Sequence, residues 1–133
     1  METNYFGTLA TSQAFAPLLR GGALVNILSI TSFFSHPGMA SLCATKAAAW
    51  SLTNSLRLEL PDTLVVGVHA SFIDTRLAAG IDLPKHSPDA IAEMVLDAVA
   101  AGREEVLADE VSRRIKQNLS AEPGVYLMPP VAA

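Results

Sequence analysis

A leucine and a lysine one helical turn apart are the first residues of this sequence whose types and spacing bear on chemistry. They lie in the stretch "SLCATK", residues 41–46, which runs into further apolar residues. Residues four apart lie on one face of a helix, so Leu42 and Lys46 are expected to project to the same side. Lysine carries an ionisable ammonium and leucine carries no ionisable group, so this face offers a cation without an acid beside it.

Histidine and cysteine offer little further chemistry. His36, His69 and His86 are scattered, with no i, i+4 pair and no acid cluster beside them in the sequence, so no metal site is expected. The single cysteine, Cys43, excludes an internal disulfide and fits a reducing, cytoplasmic compartment. It points about 100° further round the helix than Leu42, so it is no ready substitute for an acid there.

Length and composition predict one domain with an unusually apolar surface. The chain has 133 residues, of which 50% are hydrophobic and 17% charged, whereas about 25% charged is typical. A domain this small hides only part of its apolar surface by itself, so we expect an interface with another chain. The net charge is −4, and the basic cluster at residues 113–116 is read as a solvated helix face rather than a nucleic-acid site.

The chain carries no sign of a targeting or membrane segment. The first four residues, "METN", lack a basic stretch, so no secretory signal is expected. No apolar run reaches the roughly 18 residues that a spanning helix needs, so no membrane partner is expected.

Helical and strand patterns alternate along the chain. We predict a helix over 4–19 that Pro17 bends or shortens, and a helix that Ser87-Pro88-Asp89 begins and Gly102 ends. The other predicted segments are strands at 23–29, 63–70 and 104–108, helices at 40–59 and 109–119, a loop at 30–39 that includes Thr31 and Ser32, and an irregular arm at 121–133.

This order of elements predicts an α/β fold with a small parallel sheet. Strands that alternate with helices favour parallel pairing within a layered α/β architecture. We therefore expect residues 1–120 to form one domain, with about three strands and flanking helices. Both edges of so small a sheet expose backbone groups unless another chain covers them.

Four consecutive stretches resemble the short-chain dehydrogenases/reductases. They are "NYFGTLATSQAFAPLL", "ALVNILSITSFFSHPG", "SLCATKAAAWSLTNSLRLEL" and "VVGVHASFIDTRL", and they follow one another in the order found in that family. The chain resembles the C-terminal half of such an enzyme over roughly residues 1–120. The resemblance implies half of a Rossmann-type doubly wound parallel sheet and an NAD(P)-dependent oxidoreductase by descent.

The resemblance also implies site residues. Asn4 matches the family's helix asparagine, which holds a relay water, and Ser29 matches the serine that polarises the carbonyl oxygen. Lys46 matches the lysine that positions the cofactor ribose, and Thr75 matches a threonine that contacts the nicotinamide or phosphates. The family's tyrosine lies 13 residues after the serine, which places Leu42 at the position of the proton-donating phenol.

Two further departures weaken the expected cofactor site. None of the eight glycines forms the family's glycine-rich turn, so the pyrophosphate and adenine sites are expected to be missing from this chain. The Pro-Gly that usually follows the sixth strand reads Ala70-Ser71 here. Tyr5 and Tyr126, the only tyrosines, are not expected to replace the lost phenol.

Each candidate residue also has a purely structural interpretation. Ser29 can close a strand with its hydroxyl on a turn, and Asn4 can cap the first helix. Lys46 can stay in solvent or reach a backbone carbonyl. Thr75 can shape the turn after the strand together with Asp74.

Three functions therefore stay open. The chain can be an oxidoreductase by descent with weak or no activity, with NAD(P) not bound by this chain alone. It can be a non-enzymatic homo-oligomer that pairs through helices 4–19 and 40–59, with the edge strands 23–29 of two copies joined antiparallel into a six-stranded sheet. It can also be one half of a two-chain reductase.

Overall fold

The fold alternates helices and strands along the chain. The structure is a computed structural model that describes residues 1–127. Within them lie α1 (Gly7–Phe15), β1 (Ala23–Ile27), α2 (Ala40–Glu59), β2 (Leu64–His69), α3 (Pro88–Ala100), β3 (Glu105–Leu107) and α4 (Glu110–Gln117). A π-helical turn, Glu2–Phe6, precedes α1, and short 3-10 helices lie at Ala16–Leu18, Ile30–Ser32 and Arg76–Ala78.

The three strands form one parallel sheet in the order β1-β2-β3. Val25 pairs with Val66, and Val68 pairs with Val106. The central strand β2 is buried on both faces, as its nearly continuous run of apolar residues predicts. The predicted α/β class, half of a Rossmann-type sheet with flanking helices, is confirmed.

Apolar clusters cover both faces of the sheet. One cluster joins β2 and β3 to α3 through Val66, Val68, Ile91, Ala98 and Val106. The second is built from Phe33, Phe34 and Ile115, with Trp50 and Val125 packed against it. The loop after β1 therefore belongs to the core, which fixes the carboxyl end of that strand.

The long helix and the capped helix begin and end as predicted. α2 covers residues 40–59, as expected from the uninterrupted helix-forming run before Pro61. Ser87 caps α3 by accepting a hydrogen bond from Ala90 N at 3.1 Å, and Pro88 occupies the first turn, where its missing N–H costs nothing.

The first helix is interrupted more than the sequence indicated. The predicted single helix over 4–19 consists of the π-helical turn, α1 and the 3-10 helix Ala16–Leu18. Pro17 lies within that 3-10 helix. Because proline has no N–H and its ring clashes with the preceding turn, the α-helix ends at Phe15.

The segment after β1 is not the plain loop that we predicted. Thr31 and Ser32 lie in the 3-10 helix Ile30–Ser32, and Ser29 is its N-cap. The prediction of a plain loop is wrong because the Ser29 side chain accepts a hydrogen bond from Thr31 N and so begins a helical turn.

The C-terminal segment folds back onto the domain. α4 ends at Gln117, and Val125 N donates a hydrogen bond to Asn118 O at 3.2 Å. Residues 128–133 of the predicted arm lie outside the described residues. No helix within residues 1–127 is both long and apolar enough to cross a membrane.

Candidate active site

The candidate residues Ser29 and Thr75 follow the carboxyl ends of β1 and β2. Parallel α/β folds bind ligands at the carboxyl ends of their strands. Ser29 Oγ accepts hydrogen bonds from Thr31 N at 3.1 Å and from Thr31 Oγ1 at 3.0 Å. The serine therefore does close the strand with a capping turn, and its own hydroxyl hydrogen stays available for a ligand.

Lys46 reaches the open edge of the sheet. Its Nζ donates to Ile27 O at 2.8 Å. Leu28 N donates to Val68 O of β2, so the neighbouring Ile27 carbonyl points the other way, towards the unpaired edge of β1. Of the alternatives for this lysine, the structure shows the contact with a backbone carbonyl. Burial lowers the pKa of the Lys46 ammonium below its usual value.

Leu42 provides no acid beside this lysine. It is half-buried on α2, one turn before Lys46, and its carbonyl accepts a hydrogen bond from Thr45 Oγ1 at 2.8 Å. Tyr5 packs edge-on against Phe6, with ring centroids 5.1 Å apart. No tyrosine hydrogen bonds to Lys46 anywhere in the part of the chain that the structure describes.

Asn4 contacts Thr45 of α2 and does not cap a helix. Its Nδ2 donates to Thr45 Oγ1 at 3.2 Å, and its carbonyl accepts from Thr8 Oγ1 at 3.0 Å. The capping interpretation of Asn4 is wrong, because neither the π-helical turn nor α1 has a side-chain cap. The side chain instead ties the first turn of the chain to α2.

Thr75 lies apart from the other candidates. It is exposed, and its Oγ1 donates to Ile73 O at a long 3.4 Å. No hydrogen bond joins it to Ser29 or Lys46 within residues 1–127. The structure therefore brings Ser29 and Lys46 to the end of β1, while Thr75 stands on the adjacent loop.

His69, a buried histidine to which the sequence analysis assigned no role, bonds to the backbone carbonyl of Ser29. His69 ends β2, its ring stacks on Phe33 with centroids 4.2 Å apart, and Nδ1 lies 3.1 Å from Ser29 O. Since a carbonyl only accepts, Nδ1 carries the hydrogen and donates it. The sequence did indicate this contact, because a histidine in a predicted buried strand needs a hydrogen-bond partner nearby.

The second nitrogen of His69 is the unusual feature. Nε2 lies 3.7 Å from a Glu105 carboxylate oxygen and is buried without a hydrogen-bond partner among the described residues. Glu105 also pairs with Lys116. Burial lowers the pKa of His69 to about 4, although the Ser29 carbonyl and Glu105 favour the protonated form. The ring is therefore neutral at neutral pH.

A cavity of about 320 Å³ lies between α2 and the segment after β1. Its helix wall is formed by Ala40, Cys43, Ala44 and Ala47, and Tyr126 also lines it. At 100° per residue, the centre of this wall lies about 110° around the helix from Lys46 and about 150° from Leu42. Tyr126 therefore lies towards the side of α2 opposite Leu42.

Comparisons with known proteins agree on one family. The family model described as short chain dehydrogenase matches residues 1–85. An uncharacterized oxidoreductase of Staphylococcus aureus (strain USA300) is 36% identical over 107 residues, covering 74% of this chain and 46% of that protein. The chain thus spans about half the length of the curated relatives it matches.

Solved structures give the same result. A short chain dehydrogenase from Burkholderia cenocepacia in complex with NADP is 39% identical, with a TM-score of 0.85 over 92% of this chain and 53% of that one. A short-chain dehydrogenase from Sphingobium yanoikuyae in complex with NADPH is 27% identical, with a TM-score of 0.73 over 98% of this chain and 56% of that one.

Proposed function

Because the chain belongs to the short-chain dehydrogenase/reductase family, we propose that it is an NAD(P)-type oxidoreductase domain by descent whose carbonyl-reducing site has lost its proton donor. The observation that carries this proposal is the pair on α2. Lys46 reaches the end of β1, but Leu42, one turn earlier on the same face, has no acidic group. The resulting activity is weak or absent.

The residues present fit the nicotinamide end of such a cofactor. Ser29 and the Lys46 ammonium lie at the carboxyl end of β1, and Thr75 lies on the loop that follows β2. The carboxyl ends of the strands are where α/β folds bind nucleotides. The half-buried ammonium of Lys46 can exchange its bond with Ile27 O for a ribose hydroxyl. No glycine-rich turn in this sequence offers backbone N–H groups to a pyrophosphate.

The chemistry of this site is limited by its proton supply. A reduced nicotinamide dinucleotide would supply the hydride when bound. Ser29 can donate its free hydroxyl hydrogen to a carbonyl oxygen and so polarise it, and Asn4 would hold a relay water behind position 42. Leu42 gives no proton to the developing alkoxide, and the loss of a positioned acid costs about 10²–10⁴-fold in rate.

A comparison of two nicotinamide ligands tests this half-site. Reduced nicotinamide mononucleotide and NADPH are titrated by fluorescence against the wild-type chain and Lys46→Met. We expect both ligands to bind weakly and equally, because the adenosine half finds no contacts, and we expect the variant to bind neither. Binding of NADPH more than tenfold tighter than the mononucleotide would show a nucleotide site that this proposal denies.

A homo-oligomeric assembly is the second candidate function. Large apolar side chains of the first helical region and of α2 are exposed, with Leu18 at 76% and Leu58 at 85% of their full accessibility. Ile27 is also exposed beside the open edge of β1. Contact through helices 4–19 and 40–59, with the two β1 edges joined antiparallel, would cover these groups.

The third candidate, one half of a two-chain reductase, rests on length. The matched relatives are about twice as long as the aligned segment, since 46% and 53% of them are covered. A second polypeptide could supply the nucleotide-binding strands beside β1.

If neither nicotinamide ligand binds the chain, the assembly function is the one that stands. The free, buried Cys43 fits the reducing cytoplasm that we propose as its location.

A further inference from the structure

One buried carboxylate, that of Asp109, holds two neighbouring parts of the fold with separate oxygens. Asp109 follows β3 and is only 7% exposed. Its Oδ1 accepts from Ser112 N and Ser112 Oγ, both at 2.6 Å, and so caps α4. Its Oδ2 accepts from Ser71 N at 2.8 Å and Ser71 Oγ at 2.7 Å, and His86 Nε2 lies 3.4 Å away.

The groups on Oδ2 are the two ends of a single loop. Ser71 stands at the start of the segment between β2 and α3, and His86 stands at its end. The base of this segment is closed by an isolated parallel bridge between Ile73 and His86. Asp74 N donates to His86 O, and His86 N donates to Phe72 O, both at 2.8 Å. Both loop ends therefore converge on one carboxylate.

The carboxylate is ionised at neutral pH, which makes it a strong acceptor. Burial acts to raise the pKa of Asp109, but the hydrogen bonds from Ser112 and Ser71 outweigh burial and leave the pKa below its usual value. The Ser71 hydroxyl adds a second hydrogen bond to the one that its backbone N–H makes with the same oxygen.

We propose that Asp109 is a positioning residue that fixes the loop 72–86 through Ser71 and His86, and with it Thr75. The assignment of Thr75 to a nicotinamide ligand rests on the proposed function, whereas the anchoring of the loop does not. The divided use of the two carboxylate oxygens allows the loop contact and the helix cap to be separated by matched substitutions.

The test compares Ser71→Ala with Ser112→Ala in the full chain. Each variant removes one hydroxyl bond to the same carboxylate, the first from Oδ2 and the second from Oδ1. Limited trypsin digestion is followed by mass spectrometry at Arg76 and Lys85 within the loop, with Arg20 outside it as the internal reference. Loss of a hydrogen bond to a charged group predicts about tenfold faster loop cleavage for Ser71→Ala.

We expect no change relative to Arg20 for Ser112→Ala, and restored protection for Ser71→Thr, which keeps the hydroxyl. Equal effects of the two alanine variants, or no effect of Ser71→Ala, would overturn the proposal. The same variants are titrated with reduced nicotinamide mononucleotide, whose affinity should fall only for Ser71→Ala. If the wild type does not bind this ligand while the cleavage pattern holds, the proposed function fails and the anchor stands.

Discussion

At the scale of single residues, His69 is the side chain whose chemistry is most altered by the fold. Its ring is fully buried, stacked on Phe33 and bonded through Nδ1 to Ser29 O. The pKa is lowered from 6.5 to about 4 because burial disfavours the charged ring. Protonation therefore works against the folded state.

The pH dependence of stability tests this environment. Between pH 6.5 and 4 the unfolded chain binds a proton at this position that the folded chain does not, so the contribution is complete above pH 6.5 and is lost as the pH falls towards 4. The shift corresponds to about 3 kcal/mol. Urea unfolding gives the free energy of unfolding at pH 7 and at pH 4. Between these two values the wild type should lose about 3 kcal/mol more stability than His69→Gln does.

His36 provides the matched control for this measurement, because it is a histidine on an exposed loop. His36→Gln retains His69 and should therefore retain the loss of stability that its burial causes at low pH. If His69→Gln and His36→Gln behave alike, the ring of His69 is not held neutral by burial.

Substitution of Lys46 distinguishes a role in ligand binding from a role in folding. Its Nζ bonds to Ile27 O, yet burial disfavours its charge, so the two effects on folding oppose each other. We expect Lys46→Met to change the free energy of unfolding by less than about 1 kcal/mol. The same variant should abolish the binding of reduced nicotinamide mononucleotide. A large loss of stability in thermal or urea unfolding would show that the lysine serves the fold.

At the scale of elements, two threonine–asparagine hydrogen bonds connect α2 to other parts of the fold. Thr45 Oγ1 donates to Leu42 O and accepts from Asn4 Nδ2, while Thr53 Oγ1 donates to Ala49 O and accepts from Asn26 Nδ2 at 3.0 Å. The first pair ties α2 to the π-helical turn, and the second ties it to β1. Both contacts connect segments that are far apart in sequence, and the apolar pattern that predicted α2 gives no sign of them.

The two threonines should differ in their contribution to stability. Thr53 is fully buried and its partner Asn26 is buried, whereas Asn4 is half-buried and water can replace its bond. Thr53→Val leaves a buried amide without a partner, which costs about 1–3 kcal/mol. Thr45→Val should cost about 1 kcal/mol or less. Equilibrium urea unfolding of both variants checks this order, and a larger effect at Thr45 would contradict it.

Element positions were largely predictable, and contacts between elements were not. The uninterrupted run before Pro61 predicted α2, and Ser87-Pro88 predicted the start of α3. The bonds of Asp109 to Ser71 and Ser112 depend on the register of β3 beside β2, which sequence spacing does not reveal. The same holds for the approach of His69 to Glu105.

At the scale of the whole molecule, the exposed apolar helices support the proposed assembly. Leu18 and Leu58 lie in the two helical regions expected to pair, whereas Leu77, 96% exposed, lies on the loop after β2. Sedimentation or light scattering should show an oligomer for the wild type and for Leu77→Lys. Leu18→Lys and Leu58→Lys should shift it towards monomer. A wild-type chain that is a well-folded monomer at micromolar concentration would contradict the proposal.

The candidate site shows where sequence reasoning ends. The resemblance predicts that Ser29, Leu42 and Lys46 share a site, and the structure places Ser29 and the Lys46 ammonium at the end of β1. The resemblance gave no account of the hydrogen bonds around these residues, such as those from His69 to the Ser29 carbonyl and from Asn4 to Thr45. Those bonds are tertiary contacts that form only once the sheet and α2 have packed.

The most direct test of the proposed loss of a proton donor is carbonyl reduction by three variants at position 42: the wild-type leucine, phenylalanine and tyrosine. Oxidation of NADPH, and of millimolar reduced nicotinamide mononucleotide, is followed with a simple aldehyde for the wild type, Leu42→Phe and Leu42→Tyr. We predict that the wild type and Leu42→Phe match the protein-free blank, while Leu42→Tyr, which restores a phenol beside Lys46, rises above it. Wild-type turnover of about 1 s⁻¹ or more, within the usual range of enzymes, would contradict the account.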